Sequence, residues 1–110
     1  MPYDAGLAAR LKEVTADMPD MVEQKMFGGI GYMLGGNMCV GIYKDLLVLR
    51  LGIDGARQIL AEPHARPMDI TGRVMKGWAM IAPEGLERDS ELAHYVGKAR
   101  DFVKTLPAKT

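Results

Sequence analysis

VEQKMFGGIGYMLGGNMCVGIYKDLLVLRL, the run from Val22 to Leu51, decides the fold. Short apolar runs alternate here with Gly and Asn breaks, and the intervals are too short for crossover helices, so the strands follow one another antiparallel. The pattern predicts strands near residues 22–27, 30–34, 38–43 and 46–51, with turns at Gly28-Gly29, Gly35-Gly36-Asn37 and Lys44-Asp45. In the fourth strand Leu47, Leu49 and Leu51 fall on one face and Leu46, Val48 and Arg50 on the other. A strand that is apolar on both sides belongs inside a sheet rather than at its edge.

The flanking segments read as helices. Leu7, Leu11, Val14 and Met18 recur at helical spacing after Asp4, a suitable N-cap, and Pro19 ends the pattern. After the meander, Asp54 is expected to open a short helix with Ala56, Ile59 and Leu60 inward, stopped by Pro63. Residues 63–72 read as loop, and a further strand is expected from about Val74 to Ile81, broken by Pro83. Asp89 is expected to cap a last helix, in which Leu92, Tyr95, Val96, Ala99, Phe102, Val103 and Leu106 form one stripe before Pro107. Its acids come early, and Lys98, Arg100 and Lys104 come late, as the helix dipole favours. The order predicts an α+β domain: an antiparallel sheet of about five strands packed by N-terminal, middle and C-terminal helices.

With 110 residues the chain makes a single domain, residues 1–110. Its 48% hydrophobic and 25% charged content are those of a globular protein rather than a disordered or membrane-spanning one. Fourteen basic residues balance fourteen acidic ones, so the net charge that drives non-specific nucleic-acid binding is missing. One cysteine, Cys39, cannot form an internal disulfide and is too few for a cysteine zinc site, which suits a reducing compartment, the cytoplasm. The N-terminus lacks a basic segment followed by an apolar run, and no stretch is long enough for a span, so neither export nor membrane insertion is expected.

No catalytic constellation stands out. Gly72 and Gly77 have the spacing of the outer glycines of a phosphate loop, but Trp78-Ala79 occupies the place of the required Lys and Ser or Thr. Gly28-Gly29-Ile30-Gly31 is not followed by a helix and so is no dinucleotide fingerprint. These glycines read as turn, bulge and close-packing residues. Cys39 alternates with Met38 and Val40 in an apolar strand and reads as a small buried hydrophobe. A nucleophile at Cys39 would need His64 or His94 as its base, and a small-ligand or enzymatic site would need Cys39, His64 and Arg50 to converge. No cofactor and no metal is expected.

Arg50 interrupts an apolar strand and must find a carboxylate, an anion or a route to solvent. Arg57, Arg66, Arg73 and Lys76 form a modest basic cluster opposed by Glu62 and Asp69, a candidate for direct DNA contact. Trp78, beside Met75, Lys76 and Met80, suits either a core or an interaction surface, and so do the nine methionines.

Taken together, Lys25-Met26-Phe27-Gly28-Gly29, Gly41-Ile42-Tyr43-Lys44-Asp45-Leu46-Leu47-Val48-Leu49-Arg50 and Gly72-Arg73-Val74-Met75-Lys76-Gly77-Trp78 resemble the N-terminal domain of TfoX/Sxy proteins over about residues 22–107. The resemblance implies an α+β domain similar to the fold called secretion-chaperone-like, in a bacterial cytoplasmic setting. Full-length members regulate natural competence with the transcription machinery and carry a second, C-terminal domain, so a stand-alone N-terminal domain is expected here. The family supplies no catalytic residues. The expectation is therefore a non-enzymatic regulatory or protein-interaction module, with a protein partner and a homodimer. Phe27, Arg50, Arg73, Lys76 and Trp78 are its candidate partner-binding residues.

Overall fold

The strand pattern of the meander folds as the sequence dictates. In the computed structural model, which describes residues 3–26, 29–70 and 72–107, β1 (Met21–Met26), β2 (Gly29–Leu34), β3 (Asn37–Tyr43) and β4 (Leu46–Arg50) pair consecutively and antiparallel. Leu34 opposes Asn37 across Gly35-Gly36, and Tyr43 opposes Leu46 across Lys44-Asp45, so both hairpins close through two-residue loops. The expected turn at Gly28-Gly29 lies partly outside the described residues: Gly28 is beyond them, and Gly29 already opens β2 opposite Met26.

Two further strands complete an antiparallel sheet of six strands, in the order β1-β2-β3-β4-β6-β5. β5 (Ala65–Pro67) falls where the sequence reads as loop, because three residues ending in a proline carry no periodicity to detect. It pairs with β6 (Trp78–Ile81) as Ala65 to Ile81 and Pro67 to Ala79. β6 begins four residues later than expected. Gly77 has φ +86, a left-handed geometry that cannot continue a ladder, so the pairing with β4 starts only at Trp78.

The expected interior strand is interior in both senses. β4 lies between β3 and β6, and Leu47 and Leu49 enter a large core with Leu11, Cys39, Val40, Ile81, Leu92, Val96 and Val103. Leu46 and Val48 point the other way, into a smaller cluster with Met68, Met80 and Ala82, which Ile70, Met75 and Trp78 border. Helices cover the first face, and the connection between β5 and β6 covers the second.

Three helices build that cover. α1 (Ala5–Val14) is capped by Asp4, whose Oδ1 accepts from the Leu7 N–H at 3.0 Å. It ends before the expected Pro19: the Thr15 hydroxyl donates to the Leu11 carbonyl at 2.9 Å, and residues Thr15–Asp17 tighten into a 3-10 turn. α2 (Gly52–Leu60) starts two residues before Asp54, which sits in its first turn instead of capping it; Ala56 and Ile59 are buried and Leu60 half-buried. α3 (Asp89–Val103) buries Leu92, Tyr95, Val96, Ala99 and Val103 as the stripe requires. Arg88, not Asp89, holds its cap position: Glu91 accepts from the Arg88 N–H at 3.0 Å, and the Asp89 carboxylate turns to Arg10 Nε on α1 at 3.0 Å. No helix among the described residues is long and apolar enough to cross a membrane.

The two-sided burial of β4 sets a clear contrast in tolerance. Leu49→Ala should lower stability by about 2–5 kcal/mol, whereas Val74→Ala, at a position 63% exposed, should stay within about 0.5 kcal/mol. Urea midpoints of the two variants test this.

Candidate functional site

The register of β4 against β6 places Arg50 directly opposite Trp78. The Arg50 guanidinium carbon lies 5.4 Å from the centroid of the Trp78 ring, a cation–π arrangement between cross-strand neighbours. Both residues are half-buried at the sheet end where the chain leaves β4 for α2. Among the described residues the ion pairs are Arg10 with Asp89 and Arg100 with Asp20, so Arg50 is held by an aromatic face rather than by a carboxylate.

Two glycines form the floor beneath this pair. Gly52 (φ +78) and Gly77 (φ +86) both adopt left-handed backbone, and the Gly77 carbonyl accepts the N–H of Leu51 at 2.8 Å and of Gly52 at 3.0 Å. Left-handed backbone disfavours a side chain at both positions, and at Gly52 crowding excludes one as well. A Cβ on Gly77 would stand 3.4 Å from the Gly52 carbonyl carbon, and one on Gly52 would meet the Phe102 ring at 2.5 Å. This clasp ties the strand-to-helix turn to the segment before β6 and brings Phe102 of α3 over the end of the sheet.

A groove of about 610 Å³ opens there, lined by Arg50, Ile53, Asp54, Lys76, Trp78 and Phe102 over the two glycines. Its character is mixed. Ile53 is 62% exposed, Trp78 and Phe102 add aromatic surface, and Arg50 and Lys76 outnumber Asp54, which forms no ion pair with either. Such a surface can hold an apolar side chain and an acidic one together.

Of the five residues expected to bind a partner, the fold brings together Arg50, Lys76 and Trp78. Arg73 is exposed in the segment before β6 and does not line the groove, and Phe27 lies outside the described residues. Ile53, Phe102 and the Gly52 to Gly77 clasp escaped the sequence reading. A glycine between a strand and a helix was the one available signal for Gly52; Phe102 meets it from half a chain away.

The alternative sites do not assemble. Cys39 is completely buried, and loss of hydration pushes its thiol up to about 12, only weakly offset by Arg100. His64 is exposed and packs beside Gly85, while His94 is exposed with its ring 5.6 Å from Tyr95; neither lines the Arg50 groove, and nor does Cys39. The convergence of Cys39, His64 and Arg50 is thus absent. The basic cluster is also divided: Arg66 lines a separate groove with Lys44, Asp45 and Asp69, while Lys76 lines the first. Burial likewise raises the Tyr95 hydroxyl to about 12, with Glu62 accepting its hydrogen bond. No group of three or more His, Cys, Asp or Glu suited to a metal occurs among the described residues.

Two outcomes follow from this geometry. Gly52→Ala should destabilise the domain by at least about 1–3 kcal/mol from backbone strain alone, and more than Gly77→Ala, because only the former collides with the Phe102 ring; denaturant midpoints rank the two. At pH 8 only about one Cys39 in ten thousand would be thiolate, so an aromatic disulfide reagent should label it at least about 100-fold more slowly in the native protein than in denaturant.

No curated protein and no solved structure matches the chain. The TfoX N-terminal domain family matches residues 13–103, which include every strand, α2, α3 and all the residues of the groove. The chain therefore belongs to the TfoX N-terminal domain family.

Proposed function

We propose that the domain is a non-enzymatic regulatory module of the competence-regulator kind, binding a protein partner in the groove at Arg50, Lys76 and Trp78. The observation that carries this reading is the Arg50 to Trp78 pair: a half-buried guanidinium without a carboxylate partner among the described residues, laid on an aromatic ring beside an open groove. Arg and Trp are the residue types that most often dominate binding energy at protein interfaces. The partner segment brings an acidic side chain to Arg50 and Lys76 and an apolar one to Ile53 and Trp78. An acidic partner suits a domain that works beside DNA-bound machinery in the bacterial cytoplasm without itself gripping DNA. The neutral chain and the divided basic residues support this over direct DNA contact.

The test is affinity capture from the native cell extract with the wild-type domain and with a folded Lys76→Ala, Trp78→Ala double variant. The variant should lose the specific partners, with an affinity loss of about 30-fold or more once a partner is purified. An unchanged partner list removes the groove from the reading. A retardation assay at low ionic strength, where phosphate contacts are strongest, should show no DNA binding.

A further inference from the structure

β1 ends the sheet. It pairs with β2 on one side, and Val22, Glu23, Gln24 and Lys25 are exposed, Val22 by 62%. A terminal strand of six residues carries a row of backbone donors and acceptors that can receive another strand. The other edge cannot do the same, because β5 has three residues and the last is Pro67, which has no N–H to offer. Addition to this sheet is confined to β1.

The sequence of β1 is complementary to itself. A two-fold axis would pair the strand with its own copy antiparallel, and since backbone groups alternate in direction, opposed residue numbers must sum to an even value. A pairing centred on Glu23 sets two carboxylates against each other, and one centred on Lys25 sets two ammonium groups together. Centred on Gln24, the register opposes Glu23 to Lys25 twice and Val22 to Met26 twice, with the two glutamines at the axis. Opposite charges directly across a strand pair are favourable and like charges are not. Glu23 and Lys25 share the face of Tyr32 and Ile30, and the Tyr32 hydroxyl already donates to Glu23 Oε1 at 3.1 Å, fixing one side of the pair in place.

We propose that a second copy of this chain is the partner of β1, joined edge to edge in the register that places Gln24 opposite Gln24. The dimer is closed, because the outer edges are then both β5. It is independent of the groove, since β2 and β3 separate β1 from β4.

Sedimentation from about 10 µM to about 1 mM should show a monomer–dimer equilibrium, as expected of a small interface. Glu23→Lys and Lys25→Glu should each weaken self-association about tenfold or more, and an equimolar mixture of the two should associate again, because the mixed pair restores both opposite-charge contacts. Lys25→Glu leaves the Tyr32 to Glu23 bond intact and so separates lost association from lost folding. A register test uses the inert native thiol: Gln24→Cys should cross-link rapidly under copper-catalysed oxidation, while Val22→Cys, four residues out of register with its own copy, should not. A wild type that stays monomeric throughout, a mixture that fails to associate, or equal cross-linking at the two positions overturns the proposal.

Discussion

Strand β4 has no solvent side, and the remainder of the domain is arranged to supply both of its covers. Leu47 and Leu49 require the helical layer, and so α3 lies across β3 and β4 with α1 against it. Leu46 and Val48 require a second layer, which no helix provides. Met68, Ile70 and Met75 provide it from the connection between β5 and β6. Flexible methionine side chains suit that task, because a loop presents an irregular surface.

The groove is a by-product of the same constraint. Bringing the β5–β6 connection back across the sheet and then into β6 beside β4 requires a sharp reversal at Gly77, and leaving β4 for α2 requires another at Gly52. The two reversals lie against each other and share the Gly77 carbonyl. Side chains adjoining them, Arg50, Lys76 and Trp78, are thereby gathered at one end of the sheet without any ion pair to hold them. Backbone economy places the residues, and their chemistry is left available.

How much of this the sequence disclosed depended on the range of the cause. The β2, β3 and β4 hairpins and the α3 stripe were legible because their signals, turn residues and apolar periods, are local. β5 was not, since three residues ending at Pro67 carry no period. The late start of β6 was hidden because a left-handed Gly77 looks, in sequence, like any other glycine inside an apolar run. Arg50 and Trp78 could each be singled out, but their contact depends on the β4–β6 register, and Phe102 joins them only through the packing of α3. The expectation of about five strands was one short for the same reason that β5 was missed. The separation of Cys39, His64 and Arg50 is likewise a tertiary fact.

The two chain ends differ in a way that bears on tethering. Tyr3 bridges to Lys44 at the β3–β4 turn, whereas the carbonyl of Pro107 accepts from Asn37 Nδ2 at 2.9 Å, beside the β2–β3 turn. In an antiparallel sheet those turns lie at opposite ends, and Asn37 shares its end with Arg50. Anything joined after Pro107 by a short flexible connection thus starts from the end of the sheet at which the groove opens, where a short tether raises effective concentration. An attachment at the N-terminus starts from the far end of the strands and has no such advantage.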